Sequence, residues 1–505
     1  MWIEEEVQKD ATDAQRTIHA LTRDYRSQHL SSPRTRIPEN KEKTAEFIKQ
    51  FYDRLRNAEY TIYQKMTPNN NAAEASSSSS SSASSSSQSR LSFQLTEVKN
   101  SATDLPHPRI LSELQRMYDI RRTRRSGVGD DGDGDGDDDR YIPYKVYEYI
   151  REKSEYCIRF QANIHGRTVS LFFITFPESH ISVCQKHGRQ RGDTHASANV
   201  CASEIAVYQL YAYKVFVWLF IVTGLANKEC SENGLNVYFY MTPFKKQRPA
   251  PHASGDDAVI SAIHANTGVT RNCETHGEIV VYRTEEWFKV FIHESMHNFN
   301  MDFIDLDLKS ANEQLRRTFC IPHDDILLFE TYTETWARII NTIFNTYFHD
   351  DTASRTHFIR TVREKLADNA MFYAYQAVKV LDIMGLKYAH ITVQTAENTE
   401  VCRKQYTEDT NVYAYYILGG ILSVYALPFI SWCCENNSGS SIRFTRNDRN
   451  LPRFVDFIER AARDPVMLSI ISFIENASAS ASASASASAS HINKVVKNTM
   501  RMTMD

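Results

Sequence analysis

The feature of this sequence that most constrains its fold is the run Trp287 to Phe303, an apolar, helix-compatible stretch that contains a His-Glu-x-x-His motif. Residues four apart lie on one face of a helix, so His293 and His297 are expected to reach one metal ion. Glu294 is near enough to hold a water molecule at that metal. Zinc binds imidazole nitrogen readily, and a catalytic zinc site keeps one position open for water. The alternative is a pair of core histidines that donate to backbone carbonyls.

The residues just before the motif predict a strand followed by a helix start. The stretch from Glu278 to Arg283 reads EIVVYR, and its β-branched residues favour a strand. Thr284 is then expected to cap the helix, with Glu285 and Glu286 as acids in its first turn. The helix is apolar on nearly every side, which predicts burial. Because buried imidazole and carboxylate groups need partners, a metal ion is the expected partner.

A third metal ligand is expected downstream of the motif. In the metzincin pattern a glycine and a third histidine would stand at Asn300 and Phe303, so that class is excluded. The next strong helix, predicted over 324–348, carries Glu330 and Glu334 on one face. We assign Glu330 to zinc.

Glu334 is expected beside the metal rather than on it, in a hydrogen bond to the free nitrogen of a ligating histidine, which we expect to be His293. The alternative is that both glutamates are solvated and that Glu334 pairs with Arg338 four residues on. Weaker substitutes for Glu330 as ligand are His323, Asp302 and Asp305.

These residues resemble the gluzincin metallopeptidases, in which an H-E-x-x-H helix is followed by a helix with E-x-x-x-[D/E]. The long interval before Glu330 is more similar to the clostridial neurotoxin light chains than to thermolysin-like members, and Glu334 stands where Asp is usual. A looser resemblance spans roughly Tyr144 to Cys434. There the runs YFYMTPFKKQRP, ANTGVT and VVYRTEEWFKVFIHESMHNFNMDF resemble inferred metallopeptidases encoded by large DNA viruses of eukaryotes.

The fold class expected is α+β, with a zincin-like catalytic unit in which a twisted sheet has a backing helix and the motif helix, followed by a mainly helical lobe. A hairpin around His165-Gly166, a long apolar helix over 202–226 and a strand over 235–241 supply the sheet and its backing helix. The predicted regions are a helical N-terminal region (1–70), disordered Ser-rich and Gly/Asp-rich linkers with a short amphipathic helix (71–140), the catalytic domain (141–350), the helical lobe (351–475), and an Ala/Ser linker and tail (476–505).

The helical lobe is expected to supply a donor that stabilises the oxyanion formed during hydrolysis. Candidates are Tyr373, Tyr413, Tyr415, Tyr416 and His323; of these Tyr416 or Tyr415 is favoured, and Tyr416 is taken as the catalytic residue. The alternative for each tyrosine is a place in the core.

Composition limits the partners. The formal net charge of −4 argues against a dedicated nucleic-acid binder, and the acidic N-terminus does not resemble a signal peptide. Nine scattered cysteines without a C-x-x-C pair favour a reducing intracellular compartment, the cytoplasm, and offer no cysteine zinc site. The apolar runs 205–226 and 412–434 approach membrane-spanning length, but the tyrosines, Gly419-Gly420 and Pro428 favour buried helices.

Two functions from different classes follow. The leading hypothesis is a zinc-dependent endopeptidase acting on a protein or peptide substrate, with zinc on His293, His297 and Glu330 and with Glu294 as general base. The second is a catalytically inactive structural protein on a zincin scaffold, packaged in a virion and bound to virion components. A membrane-anchored protease is a third possibility.

Overall fold

A computed structural model of the chain describes residues 2–28, 35–66, 92–99, 101–113, 142–177, 202–250, 255–320, 325–350, 354–483 and 494–504. The predicted Ser-rich linker, the Gly/Asp-rich loop and His323 lie outside these residues.

Within this part of the chain the fold is α+β, as predicted. Six strands form one mixed sheet: β1 Ser92–Glu97, β2 Tyr156–Ile164, β3 Arg167–Thr175, β4 Leu235–Tyr240, β5 Gly268–Thr270 and β6 Gly277–Val281. The helices used below are α1 Trp2–Gln28, α2 Lys41–Met66, α3 Tyr144–Lys153, α4 Ala202–Thr223, α5 Trp287–Asn298, α6 Lys309–Thr318, α7 Leu328–His349, α8 Arg355–Ile383, α9 Ala396–Gln405, α10 Gly419–Val424, α11 Ala426–Asn436, α12 Asn450–Ala462, α13 Pro465–Ala483 and α14 Lys494–Asn498.

The strand order is β1-β2-β3-β4-β6-β5, with the β3–β4 and β4–β6 pairs parallel and the others antiparallel. The predicted hairpin is confirmed, because β2 and β3 are antiparallel neighbours whose pairing starts at Ile164 and Arg167, on either side of the turn. Its two turn residues, His165 and Gly166, both have positive φ. Positive φ at both positions is typical of a type I′ turn, whose twist matches that of the flanking strands. The short strand β5 lies at one edge of the sheet.

Both faces of the sheet are buried, and alternate residues of β4 show how. Val237 and Phe239 belong to the main core, whereas Tyr238 and Tyr240 belong to a second cluster on the opposite face. This alternation is the period of two expected of a strand. Helices α4 and α5 contact the sheet from the main-core side, α4 at β2 and α5 at β5 and β6.

Helix α4 is the backing helix that the sequence predicted. Its Trp218 is fully buried and donates through Nε1 to the Ser295 hydroxyl on α5 at 2.7 Å. Residues Ile205–Thr223 are long and apolar enough to cross a membrane, as is the pair Tyr413–Val424 and Ala426–Asn436 taken as one span bent by 90°. Half of the Ile205–Thr223 window is buried inside the protein. A buried core helix also meets these criteria of length and hydropathy.

The N-terminal helices share the main core. Helix α2 contacts α4, α8 and α11, and its Phe47 and Phe51 rings pack against Trp336 and Phe344 of α7. The region predicted as an N-terminal unit therefore packs directly on the second helix of the candidate site.

The apolar run 412–434 is divided into three helical elements in the structure. It begins as a π-helix, Tyr413–Leu418, continues as α10 and turns sharply at Tyr425 into α11. Side chains of α7 hold the π-helix, since Thr331 Oγ1 donates to the Ala414 carbonyl at 3.1 Å and Arg338 donates to the Tyr415 carbonyl at 2.8 Å. π-Helical turns widen the helix and are frequent at functional sites.

Two of the cysteines are disulfide-bonded, which the scattered cysteine pattern did not predict. Cys230 and Cys273 form a disulfide with their Cα atoms 4.3 Å apart. It ties the loop before β4 to the turn between β5 and β6. A disulfide is typical of oxidising compartments, whereas the scattered cysteine pattern favoured a reducing one.

Candidate metal centre

The motif helix α5 begins at Trp287. If Thr284 were its N-cap, the helix would begin two residues earlier, at Glu285. The backbone N–H of Thr284 donates to the Thr242 carbonyl, two residues beyond β4, so Thr284 stays tied to the segment that leaves the sheet. Glu286 takes the N-cap position in the left-handed region, with φ of 57°. Such a conformation costs about 1–3 kcal/mol and must be held by its surroundings.

Buried charge holds this helix start in place. The Glu286 carboxylate accepts from Lys246 Nζ at 2.9 Å, with both side chains almost fully buried. Burial acts to raise the pKa of Glu286, but Lys246 and Lys289 outweigh it and lower the pKa to about 2. Glu286 is therefore ionised and is an anchor of the helix rather than a solvated first-turn acid.

The structure brings the three predicted ligands together. His293 Nε2 lies 3.0 Å from Glu330 Oε2, His297 Nε2 lies 3.2 Å from the same oxygen, and the two Nε2 atoms are 3.1 Å apart. His293 and His297 are buried and Glu330 is half-buried. This cluster of two imidazoles and one carboxylate could hold a metal ion.

Each histidine is oriented by a carboxylate on its other nitrogen. His293 Nδ1 lies 3.1 Å from Glu334 Oε2, as predicted, and His297 Nδ1 contacts Asp302 Oδ2. Asp302 is itself fixed by the backbone N–H of Ile304, 3.0 Å from its other oxygen. Carboxylates on the outer nitrogens of metal-binding histidines set the ring orientation and raise the basicity of the ligand.

The role of Asp302 differs from the one weighed in the sequence, where it was a weaker candidate for the metal itself. It is fully buried behind His297. The sequence signal was its position five residues after His297, just past the helix end. The exposed Asp305 accepts from Asn272 Nδ2 and is not part of the cluster.

Glu334 lies at the centre of a buried charge network. Lys289 Nζ is 3.0 Å from both of its oxygens, and Arg338 Nε is 2.9 Å from Oε1. All three side chains are at most 3% exposed. Burial acts to raise the pKa of Glu334, yet Lys289 and Arg338 outweigh it and hold the pKa well below its ordinary value. The Glu334–Arg338 pair weighed as the alternative exists, but it is buried rather than solvated and occurs together with the predicted contact to His293.

The cluster of His293, His297 and Glu330 opens into a cavity of about 570 Å³. Its walls come from the edge strand β5, from α5 and α7, and from the segment 408–411 that precedes the π-helix. This volume lies within the usual range for ligand-binding clefts, about 300–1,000 Å³.

Strand β5 lies directly against the motif glutamate. A Cβ atom added to Gly268 would come within 2.8 Å of Glu294 Oε1 and 2.7 Å of Val290 Cγ1. Only glycine fits this approach without displacement of Glu294, which is buried at the cavity wall. Burial raises the pKa of Glu294 above its ordinary value, which makes the carboxylate a stronger base.

The tyrosine candidates are separated by the structure. Tyr415 lines the cavity, with its ring centroid 6.0 Å from that of His293. Tyr416 is not brought to the site, because its hydroxyl donates to the Met500 carbonyl at 2.5 Å and the side chain is buried. Tyr373 and Tyr413 are also buried and are not among the described cavity residues.

The state of the Tyr415 hydroxyl follows from its surroundings. Burial and the Glu330 carboxylate raise its pKa well above the ordinary value. The hydroxyl therefore stays protonated and can donate a hydrogen bond.

A further carboxylate in the cavity wall gives a pH prediction. Burial raises the pKa of Glu408 from 4.5 to about 7, although the Tyr406 hydroxyl and the Tyr413 N–H donate to it. A raised folded-state pKa gives stability that is present below pH 4.5 and is lost as pH rises through 7. We expect Glu408→Gln to reduce this loss, as measured by urea unfolding at pH 5 and pH 8. Equal losses in variant and wild type would contradict it.

Comparisons of the chain with protein-family models, with curated proteins and with solved structures found no match.

Proposed function

We propose that this protein is a zinc-dependent metallopeptidase of the gluzincin type. The observation that carries the proposal is the convergence of His293, His297 and Glu330 at the end of a cavity whose wall also contains Glu294. The sequence motif supplies the first two ligands, and the tertiary fold brings Glu330 to them.

The donor set suits zinc. Two imidazole nitrogens and one carboxylate oxygen are a common catalytic zinc triad, whereas calcium and magnesium prefer oxygen ligands. Both histidines have a carboxylate on the outer nitrogen, which is the arrangement found around zinc ligands. A zinc ion bound there would supply Lewis acidity, which makes water acidic enough to lose a proton near neutral pH.

The chain's own residues then account for the chemistry of peptide hydrolysis. Glu294 takes a proton from the attacking water and delivers it to the leaving amine. The Tyr415 hydroxyl donates to the carbonyl oxygen as negative charge develops on it. Tyr415 replaces Tyr416 in this role because it alone of the described tyrosine candidates faces the cavity.

The edge strand indicates how a peptide would bind. Strand β5 pairs with β6 along one side, and its residues line the cavity. An extended peptide can add to the edge of a sheet through main-chain hydrogen bonds. We therefore propose a polypeptide substrate bound along β5, cleaved internally, and a zincin-like unit formed by the sheet with α4, α5 and α7. An inactive scaffold is less favoured, since the cluster opens into a cavity.

The approach of β5 to Glu294 gives a prediction for turnover. Gly268→Ala is expected to displace Glu294 and to lower kcat about 100-fold while zinc content is unchanged, because small misplacements of catalytic groups are costly. The control is Gly224→Ala, where the added Cβ would meet nothing nearer than 3.4 Å. Full activity in Gly268→Ala would exclude this placement of the base.

The experiment that tests the function uses a mixture of unstructured peptides of varied sequence, with products identified by mass spectrometry. We expect cleavage at internal bonds, loss of cleavage with a zinc chelator and recovery on addition of zinc. Cleavage that persists in the chelator, or no cleavage by zinc-loaded protein of any peptide, would oppose the proposal.

A further inference from the structure

The C-terminal segment, residues 494–504, differs most from its sequence prediction. The pattern predicted an Ala/Ser linker and tail over 476–505, but helix α13 continues into the repeat as far as Ala483, and residues 494–504 pack into the protein. The side chains of Met500, Met502 and Met504 are at most 4% exposed.

The first part of this segment is anchored to the body of the protein. The Met500 N–H donates to the Lys246 carbonyl and the Arg248 N–H to the Asn498 carbonyl, both at 2.9 Å. Lys379 Nζ donates to the Val496 carbonyl at 2.9 Å. Together with the Tyr416 hydroxyl on the Met500 carbonyl, these contacts fix the chain up to residue 500.

The last residues reach the metal helix. The Met502 N–H and the Thr503 hydroxyl both donate to Glu286 Oε1, at 2.9 and 2.7 Å. Glu286 is the strained N-cap of α5. The segment therefore supplies two of the donors that hold the N-cap residue of the motif helix.

A second contact joins the segment to the ligand network. Met502 Sδ lies 3.6 Å from Lys289 Nζ, and Met502 lines the cavity. Lys289 holds Glu334, which in turn orients His293. Met502 thus packs against the cation of the network, and Lys289 and Glu334 lie between it and His293.

From these contacts we infer that residues 501–504 are a positioning element of the metal centre, which fixes α5 through Glu286 and Lys289 and so sets the geometry of the zinc ligands. The inference rests on the proposed function, since it requires that the cluster binds zinc.

The test measures zinc affinity by competition with a chromophoric chelator, together with the unfolding temperature of the metal-free protein. In the full-length chain, Thr503→Val removes the hydroxyl donor, and Thr503→Ser keeps it. A chain that ends at Met500 keeps the anchors and loses the contacts to Glu286 and Lys289. The matched control is Thr346→Val, whose buried hydroxyl bonds, among the described residues, to the Thr342 carbonyl within α7.

We expect zinc affinity to fall about tenfold in Thr503→Val and up to about 100-fold in the shortened chain, as for other groups that orient metal ligands. Thr503→Ser and Thr346→Val should bind like the wild type. Wild-type affinity in both Thr503→Val and the shortened chain would overturn the inference, even if both unfold at lower temperature. Should the shortened chain fail to fold, the comparison of Thr503→Val with Thr503→Ser decides. A wild type that binds no zinc would instead overturn the proposed function, and this inference with it.

Discussion

Glu294→Gln is expected to retain its zinc and to lose about 10²- to 10⁴-fold in kcat. The amide keeps the size of the side chain beside Gly268 but cannot accept and return a proton, and general acid–base groups contribute about this much to catalysis. The measurement is the steady-state rate on a peptide identified in the cleavage assay, with metal content determined on the same sample.

The matched control for this variant is Glu313→Gln, an exposed glutamate on α6. It should leave both rate and metal content unchanged. If Glu294→Gln turns over substrate as fast as the wild type, Glu294 is not the general base and the mechanism is wrong.

Glu334→Gln is expected to lower the free energy of unfolding by about 3 kcal/mol and to weaken zinc binding about 10- to 100-fold. The substitution removes the carboxylate that pairs directly with the buried cations Lys289 and Arg338, and breaking a buried pair in this way is strongly destabilising. It also weakens the group that orients His293, which lowers metal affinity. Urea unfolding of the metal-free protein separates the first effect from the second.

Glu435→Gln provides the comparison, since Glu435 pairs with Lys43 at 3.5 Å while both side chains are more than 40% exposed. Exposed pairs contribute little, so its stability should be close to that of the wild type. A Glu334→Gln protein that is equally stable would contradict the role of Glu334 as the centre of the network.

Local spacing made the first half of the site predictable. A four-residue interval places His293 and His297 on one helix face, and the same interval on α7 indicated Glu330 and Glu334. The structure brings Glu330 to the histidines and Glu334 to the outer nitrogen of His293. The long apolar helix α4 and the β2–β3 hairpin were predictable for the same reason, because their patterns are local.

The features that were missed depend on distant contacts or on irregular backbone. Tyr415 and Tyr416 lie in a π-helix, whose spacing differs from that of an α-helix, so the helical pattern did not indicate which of them lines the cavity. Thr284 satisfies the local rule for a helix cap, but Glu286 takes that position, while the Thr284 N–H pairs with the Thr242 carbonyl.

The C-terminal segment was missed for a related reason. It is short and follows an Ala/Ser repeat, and its anchors lie more than 100 residues earlier in the chain, for example at Lys379 and Glu286. Composition alone therefore could not indicate that it is buried.

The most direct test of the central claim is the zinc content of the purified protein, compared with that of His293→Ala and Glu330→Ala and with the exposed control His276→Ala. We predict about one zinc ion per chain in the wild type and in the control, and loss of zinc in both ligand variants, since a catalytic zinc site needs three protein ligands. Loss in His293→Ala alone would show that Glu330 is not the third ligand. A gently purified wild type that contains no zinc and does not take it up would contradict the metal centre itself.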